Sequence, residues 1–79
     1  MKLNNKTNLI KVFSLIFKIK EKNIKETINF KNQKNWDSLN HVKLLMAIES
    51  KFNVKFHPEE SMYLNSFKKI LDTINKLKK

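Results

Sequence analysis

Apolar residues recur with helical spacing in three stretches of the chain. Leu9, Val12, Phe13, Ile16 and Phe17 fall at i, i+3, i+4, i+7 and i+8, lining one face of a helix that carries Lys11 and Lys18 on its other side. Thr7 is placed to cap it. A second stretch opens at Asp37, a good N-cap residue, and runs to Phe52 with Leu39, Val42, Leu45, Met46, Ile48 and Phe52 apolar; Asn53 ends it. After a short apolar link at Val54 and Phe56, His57-Pro58-Glu59-Glu60 reads as a helix start. Its proline sits at the first helical position, and its two acids face the positive end of the dipole. That helix is short, because Asn65-Ser66 opens another, with Ser66 as cap and Phe67, Ile70, Leu71, Ile74 and Leu77 apolar. Residues 21–36 carry only isolated apolar residues, Ile24, Ile28 and Phe30, which predicts a long loop pinned at intervals. The predicted order is helix, long loop, helix, short helix, helix. Phe13, Ile16, Leu45, Met46, Ile48, Phe52, Phe56, Leu64, Ile70, Leu71 and Ile74 are the predicted core, and residues 1–6 and 78–79 are expected to fray.

Composition narrows the class. Seventy-nine residues, 41% of them hydrophobic, suffice for one small domain spanning residues 1–79. With no cysteine there is no disulfide framework, no Cys-based zinc site and no thiol nucleophile. Zero glycine and a single proline argue against a fold of many tight hairpins, so all-β folds drop out first, and the helical spacing above makes an all-α architecture the expectation. Lys11 and Lys18 interrupt the first apolar stretch and no small-residue cleavage site follows it, so a secretory signal is not expected; nor is a membrane span. A cytoplasmic, monomeric protein is the expectation. The net charge of +10 points by itself toward nucleic acid or an anionic surface. Yet all 17 basic residues are lysine, mixed with asparagine along the chain, which resembles compositional drift more than an arginine-bearing patch that pairs with phosphates or guanine.

Catalytic chemistry finds little support. A nucleophile elbow and a phosphate-cradling loop both need glycines that the chain lacks. Ser38 and His41 stand at i and i+3 on one predicted helix, but a dyad also needs an orienting third group and an oxyanion site. His41 and His57 have no third ligand at zinc spacing, so two surface histidines, no metal site and no enzyme are expected.

What stands out is Trp36-Asp37-Ser38-Leu39, where the long loop meets the second helix. Asp-Ser-Leu, a valine at position 42, the run Leu45-Met46-Ala47-Ile48-Glu49 and the closing Phe52 resemble the recognition helix of the acyl carrier protein family. The order of helices around it resembles that family over residues 9–77. The resemblance implies a four-helix acyl-carrier-like bundle that is not itself an enzyme. It implies 4′-phosphopantetheine joined to Ser38 by a phosphodiester, its thiol carrying an acyl group as a thioester. Asp37 would cap the helix and help a phosphopantetheinyl transferase recognise the site, with Leu39 beside it. Trp36, Val42, Lys43 and Met46 would meet partner proteins, and Met46 is also the candidate for lining an acyl-chain cavity.

Two departures from the family pattern bear on partners. Family members are usually acidic along the second helix, whereas here that face reads Asn40, His41, Lys43 and Lys51, with Glu49 the remaining acid. A partner with a basic docking patch should be repelled, which points to dedicated acyl-loading and acyl-transferring enzymes. Trp36 stands where the family commonly has a small residue; it either meets the partner or anchors the loop. Two rival readings remain open at this stage. One is a small basic helical module binding nucleic acid, and the other is an interfacial helix with residues 9–19 lying on anionic lipid.

Overall fold

The computed structural model describes residues 5–77. Four α-helices form among them: α1 (Asn5–Phe17), α2 (Ser38–Phe52), α3 (Pro58–Ser61) and α4 (Phe67–Leu77), with one turn of 3-10 helix at Glu21–Asn23. The all-α class and the order of elements are as the periodicity predicts. No helix among the described residues is long and apolar enough to cross a membrane.

The apolar stripes meet in one core. α1 supplies Leu9, Val12, Phe13 and Phe17; α2 supplies Leu44, Leu45, Ile48 and Phe52; α4 supplies Phe67, Ile70 and Ile74. Phe13 is the hub, its ring centroid 5.0 Å from Phe67, 5.5 Å from Trp36 and 5.6 Å from Phe17. Pairs at these separations add about 0.5–1.5 kcal/mol each beyond the area they bury. α1 turns Leu9, Val12, Phe13 and Phe17 into the core, away from any lipid surface, which counts against the interfacial-helix reading even though Leu15 stays exposed.

Several expectations need correction. Helix α1 already includes Asn5 and Lys6, so Thr7 lies inside it and is not its cap, and the frayed segment does not extend to those two residues. Residues 1–4 and 78–79 lie outside the described residues. Within the predicted core, Met46 is exposed, and Ile16, Phe56 and Leu71 are only half-buried. Leu44 is buried without having been expected in the core, while Ile24 and Ile28 are buried as pins of the long loop.

The chain ends two helices without glycine. Lys18 (φ 56°) follows α1 and Asn53 (φ 54°) follows α2, both left-handed. In each case an amide further on reaches back over the last turn: Ile19 N to Ser14 O at 3.3 Å and Val54 N to Glu49 O at 3.1 Å. The long loop is held by asparagines. Asn29 Oδ1 accepts from the Lys31 and Asn32 amides, Asn32 Nδ2 donates to Thr27 O, and Asn35 Nδ2 donates to Phe17 O. Midway, Phe30 N donates to Asn65 O and Phe67 N to Ile28 O, both at 2.9 Å, so the loop is stitched to the start of α4. At its N-terminal end Lys6 Nζ meets Glu26 Oε2 at 2.7 Å; that hydrogen bond, then the lysine charge, holds the Glu26 carboxyl below the usual carboxylate range.

Candidate functional site

The loop ends, and α2 begins, at a closely laced junction. Asp37 is extended, and its side-chain oxygen accepts from Asn40 N at 2.8 Å, the N-cap bond expected of it. Asn40 also donates through Nδ2 to Asn35 O at 2.7 Å, tying the first turn of the helix back to the loop. Ser38 is therefore the first helical residue, and it is exposed. Among the described residues the Ser38 and Leu39 amides have no acceptor, as befits the first turn of a helix.

Trp36 corrects the sequence reading. Its side chain is 2% exposed, packed edge-on against Phe13 and tilted against Phe17 at 5.4 Å, so it anchors the loop to the core and is not a partner contact. Its indole Nε1 donates to His41 Nδ1 at 3.0 Å. His41 is correspondingly no free surface histidine, since its Nε2 lies 2.8 Å from Ser61 O at the end of α3. Phe30, Ser38, His41, Met62 and Asn65 line a cleft of about 380 Å³, so the serine opens onto a concavity lined in part by the Phe30 and His41 rings.

The other predicted contacts divide by burial. Leu39, Val42 and Met46 are exposed and fall at i, i+3 and i+7 on α2, one continuous apolar stripe beginning beside Ser38; Lys43 is exposed next to it. Met46 is 63% exposed and borders a separate depression of about 470 Å³ with Glu49, Asn53, Val54 and Lys55. That placement puts it on the outer face of α2 and not in the interior of this structure. Glu49, the remaining acid of the helix, accepts from Phe56 N at 2.8 Å. Met62 and Tyr63, both largely exposed after α3, were missed by the sequence reading. Their signal was weak: two apolar residues between a four-residue helix and Leu64, with no periodicity to assign them a side.

Fold and junction together define a small helical domain with an exposed serine at the start of its second helix. No protein-family model matches the chain. Among curated proteins it is similar to the acyl carrier protein of Buchnera aphidicola subsp. Schizaphis graminum, with 35% identity over 72 residues that make up 91% of each chain. The chain belongs to the acyl carrier protein family. Its general function is that of an acyl carrier, not an enzyme, and the nucleic-acid reading gives way to it. Proteins of this family generally bear a phosphopantetheine group and work with a phosphopantetheinyl transferase and acyl-handling enzymes.

Proposed function

We propose that Ser38 carries 4′-phosphopantetheine and that this protein presents acyl intermediates on that arm to partner enzymes. The observation that supports this reading is the exposed Ser38 hydroxyl at the first position of α2, with two unpaired amides beside it and an open cleft in front. These residues fit the group. A phosphodiester on Ser38 would lie at the positive end of the helix dipole, where the Ser38 and Leu39 amides supply donors that are otherwise unsatisfied. Bound there, the arm supplies a flexible thiol that holds the acyl group as a thioester.

The chain's own part is to orient and to expose. Asp37 closes the Asn40 amide and so fixes the direction of the first turn, on which the serine hydroxyl depends. Asn40, by holding Asn35 O, keeps the loop end from lifting away from that turn. Leu39, Val42 and Met46 along α2, with Met62 across the cleft from the serine, then offer exposed apolar contacts to the transferase and to acyl-loading and acyl-transferring enzymes. With Lys43 exposed beside the stripe, partners with less basic, dedicated docking patches fit best. The pathway is fatty-acid-like or a specialised one such as surface-glycan or secondary-metabolite biosynthesis.

Intact mass after incubation with coenzyme A and a broad-specificity phosphopantetheinyl transferase tests the site. Wild type should gain one arm and Ser38→Ala none; a Ser38→Ala protein that still gains it would place the attachment elsewhere.

A further inference from the structure

His41 is one turn beyond Ser38, lines the same cleft, and is the residue through which α2, the loop end and α3 are joined. Its tautomer follows from its partners. An indole N–H only donates, so Nδ1, which receives it, carries no proton; a backbone carbonyl only accepts, so Nε2 carries the hydrogen that goes to Ser61 O. The neutral ring is the one form that makes both bonds. It lies stacked on Trp36 with centroids 6.1 Å apart and the planes 25° apart, and edge-on to Phe30 at 6.5 Å.

The bond to Ser61 matters because α3 has little else. The helix is four residues long and none of them is buried. Met62 and Tyr63 follow directly, held between the Ser61 end of α3 and the buried Leu64, so the His41–Ser61 bond is one of the two points that set their position. Trp36 is fixed in the core by Phe13 and Phe17, and its indole in turn fixes the imidazole. The sequence of contacts runs from the core through Trp36 and His41 to Ser61, passing beside the serine.

We propose that His41 is the positioning residue of the attachment site: its two hydrogen bonds hold the Ser38 junction and the end of α3 in one arrangement, and transfer of the arm depends on that arrangement. This rests on the reading of Ser38 as the attachment residue. Removing the imidazole frees Ser61 from α2, shifts Met62 relative to the serine, and weakens docking of the transferase.

Three variants separate positioning from simple packing. Asparagine at 41 sets an acceptor where Nδ1 stands but cannot reach Ser61; glutamine reaches Ser61 but not with both bonds; alanine makes neither. Steady-state arm transfer from coenzyme A should show KM raised about tenfold in His41→Ala with kcat little changed, and intermediate values in His41→Asn and His41→Gln. The Trp36 indole proton signal should move in His41→Ala and His41→Gln, which lose its acceptor, and stay nearer the wild-type position in His41→Asn. Wild-type kinetics in a folded His41→Ala protein would overturn the proposal, as would Asn and Gln variants no better than Ala. A wild type that never gains the arm would overturn the Ser38 reading itself, while the indole proton signal of the variants would still report separately whether the His41 contacts exist in solution.

Discussion

At the scale of single residues, the two left-handed positions show what the chain does without glycine. A residue with a Cβ at φ near +55° costs roughly 1 kcal/mol relative to glycine, and asparagine tolerates it better than lysine. Lys18→Gly should therefore raise stability by about 0.5–1 kcal/mol in urea denaturation, and Asn53→Gly by less. Asn53 was legible as a helix end from its residue type, whereas nothing in Lys18 announced a left-handed conformation. Asp37, Ser38 and Ser66 occupy the helix starts that their types predict, Ser66 Oγ accepting from Lys69 N at 3.1 Å. Trp36 was legible only as a partner contact or a loop anchor, because a lone apolar residue at a helix boundary has no periodic partner to fix its direction; it turns inward against Phe13 and Phe17. Met46 has the spacing of both faces' neighbours, and the structure sets it on the outer face of α2 with Leu39 and Val42, as a partner contact requires and an interior position does not.

At the scale of elements, helical spacing carried most of the fold, because α1, α2 and α4 each bury one stripe against the same core. Phe13 is where that dependence concentrates. Phe13→Ala should cost about 3–5 kcal/mol, a large part of what so small a domain has, and circular dichroism during a urea titration should show the midpoint fall accordingly. The loop was legible only as a loop. Its asparagines looked like compositional drift, yet Asn29, Asn32 and Asn35 close turns and tie the chain to α1 through side-chain amides. Such bonds leave no periodic mark in a sequence, since each depends on a backbone path that only the folded loop defines.

At the scale of the whole molecule, the +10 charge is unevenly distributed. Residues 36–63, which contain the serine and the apolar stripe, hold four acids (Asp37, Glu49, Glu59, Glu60) and three lysines (Lys43, Lys51, Lys55), leaving the other fourteen of 17 lysines elsewhere. The docking side is thus close to neutral once α3 is counted, although α2 alone reads as basic. Repulsion from a basic partner then comes chiefly from the rest of the molecule, at a range that salt screens. With a transferase whose docking patch is basic, the association rate should rise with ionic strength, and Lys43→Glu should raise it several-fold at low salt. Stopped-flow measurement at two salt concentrations checks both, and a rate that falls with salt would mean that the patch met is acidic.

The stitch between the middle of the loop and the start of α4 divides the molecule into unequal parts. Phe30 and Phe67 donate across it, so the frame of α1, α2 and α4 is closed without α3, which has no buried residue of its own. The segment around residues 58–63 is tied to that frame by the His41–Ser61 bond and by the buried Leu64 that follows it, so its opening as a flap costs that bond and is expected below the free energy of global unfolding, with the frame still folded. Hydrogen–deuterium exchange would show it directly: the Ser61 and Tyr63 amides should exchange early and the Phe67 and Ile70 amides only with complete unfolding. A cargo or partner that needs room beside the serine would then gain it from the hinge of this flap, with the core left intact.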